Sequence, residues 1–145
     1  MASLPELRTA LYDILSTVDD LTVYTFTSET NPNYPALLIQ PATATFTTQL
    51  ARNTGQDVYE FDLVILVSGA DLQVAQDSLD AYLALSGPNS IRQLINENPK
   101  LGLVGDLSRT TARIDRMESY GITLSRDVGV RDFGAVLRLI VRTTG

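Results

Sequence analysis

At 145 residues, 44% apolar and 19% charged, the chain has the size and composition of one globular domain with a real hydrophobic core. It holds no cysteine and no histidine, which excludes disulfides, thiolate nucleophiles, cysteine-based metal centres and every catalytic arrangement that needs an imidazole. A net charge of −6 argues against gripping a nucleic-acid backbone, which takes clustered Lys and Arg.

The charge is unevenly placed. Through Ile91 eleven acidic residues stand against two basic ones, Arg8 and Arg52; from Arg92 onward nine basic residues meet six acidic ones. Such a subunit suits head-to-tail self-association, with simple solvation of both sets as the plainer reading. No apolar run approaches the ~20 residues that span a bilayer, and Leu63 to Val67 is strand-sized. Met1 to Glu6 has no basic stretch followed by an apolar one, so no signal peptide is expected, and the expected location is the cytoplasm of the cell that makes it.

Along the chain, Ser3-Leu4-Pro5-Glu6 matches a capping box with proline in the first turn. Leu4, Leu7, Leu11, Ile14 or Leu15, and Val18 recur at helical spacing and predict an amphipathic helix ending near Thr17. Leu21 to Phe26 reads as a strand, Asn31-Pro32-Asn33 as a turn, and Ala36 to Gln40 as a short second strand between two prolines. Thr43 to Gln56 is polar, threonine-rich and poor in charge, and predicts a long hairpin arm or loop.

The next strand is the strongest. Tyr59, Phe61, Leu63, Ile65 and Val67 share one face; Glu60 and Asp62, then Val64 and Leu66, share the other, which should be wet at one end and dry at the other. Asp71 is a plausible cap for a helix with Leu72, Ala75, Leu79, Tyr82 and Leu83 as its apolar stripe, stopped by Ser86-Gly87-Pro88. Asn89 or Ser90 caps a third helix through Ile91, Leu94 and Ile95, which Asn98-Pro99 ends. Leu103 to Met117 predicts an extended segment with a bulge or bend, with Leu107, Ala112 and Ile114 buried. Glu118 to Asp132 reads as a hairpin connection. Phe133 to Arg142 is the last strand, with Phe133, Ala135, Leu137, Leu139 and Val141 inward and Val136, Arg138, Ile140 and Arg142 on the other face. Helix, strands, two helices and strands give an α+β fold, helices on one face of a mostly antiparallel sheet, in a single domain spanning the chain.

Candidate chemistry is sparse. Asp19-Asp20 sits where a helix yields to a turn; Glu60 and Asp62 are spaced for carboxylate-pair chemistry but also for the wet side of a sheet; Asp77 and Asp80 lie i,i+3 on a helix surface. Gly102 to Gly105 and Gly129 to Gly134 lack the context and lysine of a phosphate loop and read as turns. Arg109, Arg113 and Arg116 form a modest basic run, diluted by Asp106 and Asp115, with Arg116 on the opposite strand face and ion pairing as the better reading. No catalytic, cofactor or metal residue is expected, and the chain is expected not to be an enzyme.

The run Leu79 to Ile91, a helix with a Ser-Gly-Pro stop and a short helix after it, resembles the tail terminator proteins of long-tailed bacteriophages, especially those infecting actinobacteria. The opening helix, the Tyr59 to Val67 strand, Leu101-Gly102, Leu107-Ser108-Arg109 and Phe133-Gly134-Ala135 extend the resemblance over nearly the whole chain. It implies a homo-oligomeric ring, a hexamer in that family, at the tail-neck junction of the virion. The ring caps the head-proximal end of the tail tube, stops its growth, joins it to neck or head-completion proteins and lets DNA pass through its lumen. Phe46, Gln49 and Arg52 on the Thr43 to Asp57 arm are the expected tail-tube or neighbouring-subunit contact. Val136, Arg138, Ile140 and Arg142 are the expected ring seam. The nearest rival is another neck protein or a tail-tube subunit; a carboxylate-dependent hydrolase and a small-ligand binding module stand behind it.

Overall fold

The computed structural model describes residues 2–25, 35–49, 54–68, 72–105, 109–127 and 130–144. Helix α1 spans Leu4–Leu15, strand β1 Thr22–Tyr24, β2 Ala36–Gln49, β3 Thr54–Ser68, helix α2 Leu72–Leu83, α3 Ile91–Glu97, β4 Thr110–Asp127 and β5 Val130–Thr144. The strands form one sheet in the order β1-β2-β3-β5-β4. Among the described residues only β1 and β2 run parallel; every other neighbouring pair is antiparallel. The chain leaves β3, crosses by way of α2 and α3 to β4 at the far margin, and returns in β5 between the two. The α+β expectation, mostly antiparallel with helices on one face, holds.

Local chemistry accounts for the helices. Glu6 accepts from the Ser3 N–H at 3.3 Å and from its hydroxyl at 2.7 Å, so the box is closed from the Glu6 side while the Ser3 hydroxyl donates instead of capping. Leu7, Ala10, Leu11 and Leu15 face inward, and Ser16 takes the C-cap position. The Ser90 hydroxyl accepts from the Gln93 N–H at 3.1 Å and donates to the Ala84 carbonyl, tying α3 to the turn after α2. The expected cap Asp71 lies outside the described residues.

One core lies between the helices and the sheet. Leu7, Leu11 and Leu15 of α1, Ala75, Leu79 and Tyr82 of α2, and Ile91 and Ile95 of α3 pack on Leu37, Ile39, Phe61, Leu63, Ile65, Leu137, Leu139 and Val141. Burial of that many leucine and isoleucine side chains, at about 1.5–3 kcal/mol each, is the main source of stability. Where the core thins, polar groups are paired: the buried Thr143 hydroxyl accepts from the Ala2 N–H at 3.0 Å and pairs with the Thr110 hydroxyl at 3.1 Å.

Three expectations change. The second strand does not stop at Gln40 but runs through Pro41 to Gln49, with a register shift between Pro41 and Thr43 that accommodates the proline. The segment from Glu118 to Asp132 is not a connection: β4 continues to Asp127 and β5 starts at Val130. Gly134 is not in a turn either. It pairs with Leu66 inside the sheet, where an added Cβ would lie 2.6 Å from the Ile65 carbonyl oxygen and 2.8 Å from Leu66 Cδ2.

Candidate interaction surface

The sheet face turned away from the helices carries the polar groups singled out by sequence. On β3 it runs from Glu60 and Asp62, both partly exposed, to Val64 and the fully buried Leu66. The wet-to-dry gradient expected of this strand is therefore present. At the dry end, Ala36, Leu38 and Leu66 form a second small cluster with Tyr24 and Val64 against it.

At the wet end Arg138 of β5 is the hub. Its register partner on β3 is Asp62, and its Nε lies 3.0 Å from Asp62 Oδ1, a charge contact whose angle does not make a hydrogen bond. Arg138 Nη1 donates to Glu60 Oε2 at 3.2 Å, and Glu60 also accepts from the Thr43 hydroxyl at 2.5 Å. Glu118 of β4 sits 3.5 Å from Arg138 Nε and pairs with Arg116 at 2.6 Å. Asp115 then joins Arg116 at 2.7 Å and Arg113 at 2.8 Å. The result is a row of alternating charge from β4 across β5 to β3, ending on a β2 hydroxyl. The exposed Arg116 guanidinium is held above its ordinary pKa, chiefly by the Glu118 hydrogen bond.

This row decides several sequence-level questions. Glu60 and Asp62 share one guanidinium, so they are bound in an ion-pair network and do not stand free as a reactive pair. Of the basic run, Arg113 and Arg116 are ion-paired as expected, but Arg116 lies on the same face as Arg113, opposite Arg138 in register, because a bulge between Ile114 and Arg116 resets the alternation. Asp19 and Asp20 lie exposed in the turn after α1, with Asp20 at φ 60°. Asp80 is exposed on α2 and accepts from the Tyr120 hydroxyl at 2.6 Å, which raises the Tyr120 pKa. Among the described residues no group of three or more Asp and Glu side chains is arranged to hold a metal ion. Among them also, no helix is long and apolar enough to cross a membrane.

The expected contact residues fall into two classes. Phe46 is 66% exposed on β2, edge-to-face with Tyr59 at a ring separation of 6.1 Å. Tyr59 beneath it is buried, and that burial, with the nearby Asp57, raises its pKa. Gln49 ends β2 in register with Thr54, and Arg52 lies outside the described residues. On the sheet's second face, Arg142 is exposed and Val136 half-buried, but Ile140 is only 8% exposed and Arg138 is engaged by carboxylates of its own chain. The seam group thus offers less free apolar surface than the alternation implied.

Two surface grooves had no signal in the sequence, because each joins residues far apart in the chain. One, about 600 Å³, lies between α1, α3 and the following turn, with Ala10, Ile14, Leu94 and Leu103 as its apolar lining and Glu6 and Asp13 beside them. The other, about 480 Å³, lies between α2 and β4, lined by Leu83, Arg92, Met117 and Tyr120 among others. Neither includes Glu60 or Asp62. Compared with known protein families and with curated proteins, the chain matches none.

Proposed function

We infer that the chain is a structural virion protein without enzymatic activity, a tail terminator of a long-tailed bacteriophage. In this reading copies assemble into a ring, six in number. The ring caps the head-proximal end of the tail tube, blocks further tube subunits, binds the neck or head-completion proteins, and leaves a lumen for DNA. The resemblance of Leu79 to Ile91 and its flanks to tail terminators is the starting point. The observation that carries the reading is the β2-β3 arm: six consecutive β2 residues, Pro41 to Phe46, are exposed, and they include an aromatic side chain 66% open to solvent. A largely exposed aromatic on a strand pair at one end of a sheet suits docking onto a larger assembly. Ion pairing of Glu60, Asp62 and Glu118 with Arg138, and the absence of histidine and cysteine, fit a protein that does no chemistry.

Phe46, Gln49 and Arg52 are the tube-facing or neighbour-facing residues in this reading, with Val136 and Arg142 the more accessible part of the second contact. The test is negative-stain microscopy of the purified protein alone and mixed with tail tubes. Rings, or single caps at one tube end that halt growth, are expected. Long tubes formed by the protein itself would make it a tube subunit. A protein that ignores tubes but binds connector rings would make it another neck protein.

A further inference from the structure

Among the described residues, the two long margins of the sheet are guarded unequally. On the β4 margin the Ala112 N–H donates to the Pro99 carbonyl at 2.7 Å, so the turn after α3 covers that point. Beyond it β4 shifts register four times against β5, and Arg113, Asp115, Arg116 and Glu118 stud it with charge. Covering turns, bulges and charges are the devices that keep another strand from adding.

Past the proline and register shift at Pro41/Thr43, the β2 margin shows none of these among the described residues. The short β1 pairs only with Ala36 to Leu38. From Pro41 to Phe46 every residue is exposed, although alternate side chains point to opposite faces. Between Thr43 and Gln49 the pairing with β3 is regular, and the segment holds no charge, proline or glycine. Its outward backbone groups are satisfied by solvent or by another strand.

We propose that a second copy of this chain adds to this margin, its own β2 running antiparallel to the first about a twofold axis near Phe46. Which strand of that copy adds follows by elimination. A copy of this chain must present an open strand; β4 is guarded and β1 is three residues long, which leaves β2 itself. An uncharged segment pairs with itself without setting like charges opposite one another, and threonines across a strand pair attract. The nearest acid, Asp57, is one strand inward, in register with Phe46. Two such carboxylates would stand three strand spacings apart, about 14 Å, beyond the ~8 Å screening length at physiological salt. A twofold strand pair closes on itself and stops at two copies. This inference rests on the sheet margin and not on the terminator reading, in which the same arm would exchange its twin for the tube or a neighbouring subunit.

The chain has no cysteine, so one introduced thiol reports alone. Sedimentation of the full chain is expected to show a concentration-dependent dimer. Phe46→Cys or Thr45→Cys should crosslink it under mild oxidation, and Val74→Cys, exposed on α2, should not. Thr45→Lys should weaken the dimer about tenfold or more, with circular dichroism and melting temperature unchanged. A chain that stays monomeric at millimolar concentration would overturn the inference. So would oligomers that Thr45→Lys leaves intact, though these would leave the terminator reading standing. A Thr45-dependent dimer that never caps tubes would uphold the inference and remove the terminator reading instead.

Discussion

The β4-β5 side of the sheet and the β2 arm are built from the same kind of strand yet differ in what surrounds them. On the first, backbone and side chains are used up internally: Pro99 covers Ala112, four register shifts bend the margin, and Arg138 collects carboxylates from two neighbouring strands. On the second, an uncharged strand stands exposed on both faces from Pro41 to Phe46. The lesson is that strand propensity does not say where a partner goes; the distribution of guards does. Substitutions on the β4-β5 side should cost stability, whereas those on the arm should cost assembly.

The largest effect is expected from Gly134→Ala, because a Cβ there meets the Ile65 backbone, which cannot swing aside. A loss of about 1–3 kcal/mol by denaturant titration is the expectation. A value near zero would mean β5 can draw back from β3, and the guarded side is less rigid than described. Next comes Arg138→Leu, which leaves Glu60, Asp62 and Glu118 without their shared cation. The three carboxylates are about a third exposed, so solvent softens the cost to about 1–2 kcal/mol. The loss should shrink at high salt, and a salt-independent loss would point to packing instead.

Alkaline pH gives a smaller and more gradual effect. Tyr59 and Tyr82 have pKa values raised above 10.0, first by burial and then by Asp57 and Asp20 respectively. The folded state favours the neutral phenol more than the unfolded chain does. This contribution is therefore complete below about pH 10 and is lost as pH rises through the folded-state values. Unfolding free energy should begin to fall as pH rises past about 10, and Tyr82→Phe should flatten that fall. The smallest expected change is in the stability of Phe46→Ser, within about 0.5 kcal/mol of the native chain, because the ring is largely exposed. On the terminator reading, its capping of tail tubes should nevertheless be reduced. Normal capping by this variant would break the division between the two regions.

Much of this was legible in the chain. Alternation placed Tyr59 to Val67 and Phe133 to Arg142 with the correct faces, since one buried face imposes a period of two. Helical spacing and the Ser90 cap placed α1, α2 and α3. What misled were residues whose local reading is a turn but whose tertiary place is a margin or a bulge. Pro41 reads as a strand terminator, yet an outer strand tolerates it at a register shift. Gly121, at φ 78°, sits inside β4 next to such a shift, with Phe133 packed 3.7 Å from where its Cβ would be. The bulge before Arg116 moved its side chain to the face opposite the one alternation gave, and with it the whole charge row. The open β2 margin was only half visible: its threonine-rich composition showed, but which strands flank it depends on pairings made far along the chain.

Arg138 also has a consequence for how the chain finds its register. A slip of β5 by one residue against β3 would carry its guanidinium to the helix side and leave Asp62 facing an apolar neighbour, Leu137 or Leu139. One cation held by carboxylates on both flanking strands thus acts as a proofreading pin. Pairings of β3, β5 and β4 that are wrong by one step bury a charge, and only the native alignment keeps that charge among its partners.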